Sequence, residues 1–226
     1  MLVQNMIVSD TEKFIFIHNP KCAGMSIRSC LLHYDTSNNW FSGWRYFDNK
    51  KLGMAHLPLW KLNELFPLFI DSKMRKYYTF VVVRNPYARA ISSFNMIGED
   101  SYLKYTENGS IDDYRQELNS FLERLDSEKI DSLDYRYRHF IRQSDYVYLN
   151  NEKLPDTIFK FENIPHDFYK MDWMNTTLSH RLKTNLKHLN QRFIINDPTD
   201  LLSQTSKDVI SKIYEKDFEN LGYQVS

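Results

Sequence analysis

Cysteine is nearly missing from this chain: of 226 residues only Cys22 and Cys30 carry a thiol. They lie too close together to organise a fold by disulfides, and no Cys/His set has zinc spacing. The pattern suits a reducing compartment. Charge of one sign is not in excess either, with Lys+Arg and Asp+Glu both at 29. A broad electrostatic grip on nucleic acid or an anionic membrane is therefore disfavoured, and any anion site must be a local cluster. Long apolar runs are missing; none approaches the roughly 20 residues of a membrane span. The N-terminal "MLVQNMIVSDTEK" has neither a basic region nor a long apolar core, so no signal peptide is predicted. These absences predict a soluble, intracellular, cytoplasmic chain. No repeat, low-complexity tract or linker interrupts it, and its length suits a single domain over residues 1–226. Aromatic residues, by contrast, are plentiful at 15%. Such rings can face a sugar or a base, although they more often fill core and rim.

Along the chain, strands alternate with helices. "FIFI", 14–17, reads as a short buried strand. From Gly24 the spacing changes, and Ile27, Leu31 and Tyr34 fall on one helical face. Residues 35–50 read as a loop, and 57–69 contain a short amphipathic helix bounded by prolines. "YYTFVVV", 77–83, is rich in β-branched and aromatic residues and reads as a strand. Asn85 then suits an N-cap and Pro86 a first helical position. Residues 100–118 read as a polar insertion, 119–144 as helical, and 156–163 as a third strand. A C-terminal helix closes at Gly222. The expected fold is α/β in three layers, with a largely parallel central sheet and a P-loop-like strand–loop–helix.

Ligands of open α/β sheets bind beyond the carboxyl ends of the strands. Lys21 and Arg84 each follow one strand. The loop Cys22, Ala23, Gly24, Met25, Ser26 would aim backbone N–H groups and the positive pole of a helix at an anion. Gly24 would let the backbone approach the ligand closely. This is no Walker loop, because the lysine precedes the glycine and no glycine opens the segment. On the second helix Asn85, Ala88, Arg89 and Ser92 share a face. An arginine fork and a hydroxyl there suit a second phosphate.

"FIHNPKCAGMSI" resembles the 5′-phosphosulfate loop of sulfotransferases that use 3′-phosphoadenosine 5′-phosphosulfate (PAPS), in particular the branch that modifies carbohydrates. "VVVRNPYARAISSF" resembles their 3′-phosphate motif, and "HFIRQSDYVYL", "TIFKFENI" and "YEKDFENLGY" are similar to later segments. The likeness covers roughly residues 12–98 and 139–223. It implies that PAPS is the donor and that no metal is needed. It further implies that Lys21 contacts the 5′-phosphosulfate oxygens and that Arg84 and Ser92 hold the 3′-phosphate. Cys22 and Met25 stand where threonines are common, which either weakens donor binding or leaves Ser26 alone to supply the hydroxyl. Arg192, in "NQR", stands where the family has a serine and would supply a charge instead.

The implied reaction is in-line transfer of a sulfonate group to an acceptor hydroxyl, most naturally that of a saccharide. A fixed lysine would stabilise charge on the leaving phosphate. Histidine is the default base near neutral pH. Among the seven, His56 in "GMAHLPLW" matches a His-bearing segment of the carbohydrate branch, His18 belongs to the donor loop, and His139 is a weaker candidate. The aromatic segments 40–47 and 100–106 suit a sugar platform. Two other readings compete: a P-loop-type nucleotide kinase or ATPase, with Glu162 ending a Walker B-like strand, and a nucleotide-binding module without chemistry. No oligomeric state is read from the sequence.

Overall fold

The computed structural model describes residues 6–38, 40–47, 50–97, 110–134, 136–164, 166–170 and 197–225. They fall into two compact units, one built from the chain up to Val83 and again from Asp145 to Leu189, the other from Arg84 to Ser144 and from Asn190 onward.

The first unit is organised by a four-stranded sheet in the order β1 (Ile7–Ser9), β2 (Phe14–Ile17), β5 (Tyr78–Val83), β8 (Thr157–Lys160). Strands β2, β5 and β8 run parallel, and β1 pairs antiparallel at the edge, Val8 opposite Ile15. All four residues of β2 and five of the six in β5 are buried. That is why these segments are uninterrupted apolar runs rather than alternating ones. Helix α1 (Gly24–Leu31) sets Ile27, Cys30 and Leu31 into a cluster with Phe14, Phe16, Phe80, Phe159 and Phe168. The Phe159 and Phe168 rings stack with centroids 4.6 Å apart. Neither cysteine is in a disulfide and both are buried, and burial pushes the Cys30 thiol up from its ordinary pKa.

Segment 35–50 is more than a loop. β3 (Trp44–Phe47) and β4 (Lys50–Gly53) form an antiparallel hairpin, Trp44 opposite Gly53. Trp44 and Tyr46 face solvent on one side. On the other, Phe47 meets Phe66 at 5.8 Å and the Arg45 guanidinium stacks over Trp40 at 4.1 Å. Strands of four residues leave too short an alternation to stand out in a polar, aromatic stretch. Helices α2 (Leu59–Leu65) and α3 (Pro67–Phe69) follow, split at Phe66 as Pro67 begins a new turn. A two-residue pair, β6 (Tyr148–Leu149) with β7 (Glu152–Lys153), precedes β8. The third strand is shorter than expected: it ends at Lys160, and Glu162 is exposed on a 3₁₀ turn rather than terminating a strand.

The second unit is helical among its described residues. It contains α4 (Pro86–Ile97), α5 (Ile111–Leu122), α6 (Ser127–Asp131), α7 (Gln204–Ile213) and α8 (Glu215–Leu221). The expected polar insertion at 100–118 is in part helix α5, capped by Ser110, whose hydroxyl accepts from the Asp112 N–H. Residues 119–144 are broken helix, not one continuous element. Gly222 closes α8 in the left-handed conformation at φ 68°, which glycine adopts without cost.

Candidate active site

In the first unit, the chain leaving β2 turns at once. The Asn19 N–H donates to the Ile17 carbonyl at 3.1 Å, and the Asn19 amide donates to the Val82 carbonyl of neighbouring β5 at 2.9 Å. Lys21 and Ala23 both take left-handed backbone, φ 63° and 60°, whereas Cys22 between them and Gly24 after them do not. Alternating handedness over successive residues curls the main chain so that its N–H groups converge on a concave, anion-binding surface. Holding two non-glycine residues there is unfavourable by roughly 1 kcal/mol or more each. Such strain persists only where the surroundings over-determine it.

Helix α1 continues from this curl. Its first intrahelical bond runs from the Ile27 N–H to the Ala23 carbonyl at 3.1 Å. Ala23 offers no side-chain cap, and the first turn carries no acidic residue. The positive pole of the helix is therefore not neutralised by its own sequence. Lys21 and Ser26 are half-buried, and the Ser26 hydroxyl has no hydrogen-bond partner among the described residues. Met25 is exposed, and Cys22 is buried with its thiol donating to the Pro20 carbonyl at 3.4 Å. Gly24 has a steric reason of its own. A Cβ there would lie 1.9 Å from Nε2 of His18, so the close approach at this glycine is made by a protein imidazole.

The same imidazole reaches the proposed base. The His18 and His56 rings meet edge-on with centroids 4.7 Å apart, and Nδ1 of His56 lies 3.4 Å from the His18 carbonyl. Phe16 stacks on His18 at 6.0 Å, and the Tyr146 hydroxyl donates to the His56 carbonyl at 2.9 Å. Both histidines are buried. His56 sits directly after β4, on the 3₁₀ turn Met54–His56. One packed group thus joins Gly24, His18 and His56. His33 and His166 are exposed, and His180 and His188 lie outside the described residues.

In the second unit, Arg84 is half-buried. Its N–H donates to Oε1 of Gln143 at 2.8 Å, and Nε2 of Gln143 donates back to its carbonyl at 2.7 Å. Helix α4 starts as the sequence predicts: the Asn85 carboxamide oxygen accepts from the Tyr87 and Ala88 N–H groups at 3.0 and 3.2 Å, with Pro86 opening the helix. Arg89 is not available to a ligand. It is 1% exposed, and its guanidinium donates to the Ile141 carbonyl at 2.6 Å. Ser92 is half-buried, its hydroxyl without a partner among the described residues, whereas neighbouring Ser93 is buried and donates to the His139 carbonyl at 2.8 Å. His139 is itself buried in this unit. Arg192 lies outside the described residues. Gln143 was legible only as part of a familiar segment; nothing in its spacing announced a grip on Arg84.

Among the described residues no group of three or more His, Cys, Asp or Glu could hold a metal ion, and no helix is long and apolar enough to cross a membrane. A mostly parallel sheet whose strand β2 runs through a tight loop into a helix defines an α/β protein. The chain belongs to the sulfotransferase family, of the carbohydrate sulfotransferase type (family 2), whose model matches residues 4–224; it is a sulfotransferase. The family implies a sulfonate donor and a hydroxyl acceptor. Neither the curated proteins nor the solved structures contain a match.

Proposed function

We propose that this sulfotransferase takes its sulfonate from PAPS and delivers it to a carbohydrate hydroxyl by in-line displacement. The observation that carries the reading is the alternating backbone at Lys21–Ala23, leading into an uncapped helix N-terminus. Such a curl fits the doubly negative 5′ end of the donor. Main-chain N–H groups of Cys22, Ala23, Gly24, Met25 and Ser26 form the cradle, with the Ser26 hydroxyl beside them. Lys21 meets the charge that grows on the leaving phosphate oxygen as the S–O bond breaks. Arg84 and Ser92 hold the 3′-phosphate, and Arg192 adds a charge to the donor's surroundings. His56 accepts the proton as the acceptor oxygen bonds to sulfur, leaving 3′,5′-ADP. Trp44 and Tyr46, exposed on the hairpin that leads into His56, offer flat faces to a sugar ring. Two buried thiols outside any disulfide support a reducing, cytoplasmic setting, and a family match running through both units supports one functional domain.

Thermal unfolding with 3′,5′-ADP and, separately, with ATP and magnesium tests the donor. A ligand at 100 times its Kd adds about 2.7 kcal/mol, about 5–10 °C for a chain of this size. A shift with 3′,5′-ADP is expected, and a shift with ATP alone overturns the assignment. Labelled PAPS with a panel of saccharides then tests the acceptor, and transfer confined to non-sugar hydroxyls overturns that part.

A further inference from the structure

We propose that Gln143 and Asp217 are positioning residues for Arg84, and through it set the enzyme's affinity for the 3′-phosphate of its donor. This rests on Arg84 meeting that phosphate, as proposed above. At Arg84 the main chain has just passed the last sheet pair, Val83 with Lys160. The carboxamide of Gln143 bonds both the N–H and the carbonyl of Arg84, as a neighbouring strand would. Gln143 is fully buried and Arg84 half-buried, so this pairing is partly shielded from water.

Gln143 is itself held. Its N–H donates to one carboxylate oxygen of Asp217 at 2.9 Å and the Ser144 N–H to the other at 2.7 Å. Asp217, on α8, has no exposed surface. The same segment is tied to the C-terminal helices twice more: the Tyr214 hydroxyl donates to the Phe140 carbonyl at 2.8 Å, and Nε of Arg142 to the Ile213 carbonyl at 3.2 Å. Burial pushes the Asp217 carboxyl up from its ordinary pKa, while nearby Arg89 and the two N–H groups pull it down. A buried carboxylate is a costly way to fasten two stretches of chain, and well-packed apolar residues commonly do as well or better. What apolar packing cannot do is fix the register of residues 143–144, and with it the Gln143 carboxamide, by two directed hydrogen bonds. A chain of bonded groups therefore runs from α8 to the backbone of the arginine assigned to the 3′-phosphate.

The experiment measures Kd by calorimetry for 3′,5′-ADP and for 5′-AMP, which lacks the 3′-phosphate. The proteins are wild type, Gln143→Glu, Gln143→Met and Asp217→Asn, each checked for cooperative unfolding. Gln143→Met removes both hydrogen-bonding groups without adding a charge, whereas Gln143→Glu keeps an acceptor for the Arg84 N–H at the cost of a carboxyl buried beside the Arg84 carbonyl. Wild type should prefer 3′,5′-ADP by about ten- to a hundredfold, the scale of one charge-assisted contact. The variants should lose about tenfold on 3′,5′-ADP and be unchanged on 5′-AMP. In an Arg84→Ala background, Gln143→Glu should have no further effect on either nucleotide. Equal losses on both nucleotides, no loss on either, or a loss that persists without Arg84 overturn the positioning role. A wild-type protein with no preference for the 3′-phosphate overturns the donor assignment beneath it.

Discussion

The two loops that follow β2 and β5 reach similar ends by opposite means. After β5 the chain obeys local preference: Asn85 caps, Pro86 opens α4, and the helix starts where its sequence says it should. After β2 the chain defies preference, with Lys21 and Ala23 in left-handed backbone and a helix that begins without a cap. Capping groups satisfy a helix end from within, and a satisfied end has little left for a ligand. The uncapped loop leaves its positive pole without a side-chain cap, and its conformation is held by neighbours: the Asn19 amide on Val82 and the His18 ring over Gly24. On the function proposed above, the strained loop would carry the chemistry and the relaxed one would serve recognition through a side chain, Arg84.

Removing His56, the proposed proton acceptor, should have the largest effect. His56→Ala is expected to lower turnover by about 10²–10⁴ and to abolish the rise in rate between pH 5 and 8; pH–rate profiles of both proteins check this. A profile unchanged by the substitution returns His56 to a purely structural place. Lys21→Ala should lower the rate by roughly 10²–10³ with the fold retained, as measured by labelled-donor transfer and circular dichroism. Arg84→Ala should instead act mainly on donor affinity, and equal rate losses from the two would erase the contrast between the loops. In stability, Gly24→Ala drives a methyl into the His18 ring and should cost about 1–3 kcal/mol. Ala23→Gly relieves left-handed strain against a more flexible unfolded chain and should change stability by less than about 1 kcal/mol. Urea melts of both variants measure the pair, and a harmless Gly24→Ala would mean that His18 does not pin the loop.

Smallest of all is the effect of a charge remote from either loop. Bonds from the Lys73 ammonium and the Tyr77 hydroxyl hold the Asp10 carboxyl below the ordinary carboxylate range. Its folded pKa is depressed, so its stabilising contribution is present above about pH 3.9 and fades as pH falls through the lower folded value. Both partners are about one-third exposed, so Asp10→Asn should cost less than about 1 kcal/mol at pH 7. The gap between the two urea midpoints should close in acid; a gap that widens there contradicts the assignment.

How far the sequence discloses each region follows from the same contrast. Asn85, Pro86 and the buried run of β5 are local rules, readable residue by residue. Lys21 was legible as a charge at a strand end, but the left-handed backbone at Lys21 and Ala23 was not, because no propensity favours it. Gly24 suggests room for a ligand in the sequence; the structure fills that space with His18, a contact across several residues that spacing does not reveal. Arg89 shares a helical face with Ser92, yet it is drawn inward by the Ile141 carbonyl, a partner from a distant stretch. Gln143 and Asp217 were hidden for the same reason, since their bonds span 59 and 74 residues.

Cysteine at position 22 answers to the hydrophobic interior. It is a member of the buried cluster that also holds Phe14, Ile27 and Phe80. Exchanging the family's more usual threonine for a thiol is thus a question of volume and polarity in the core, and leaves the loop's main-chain amides chemically as they were.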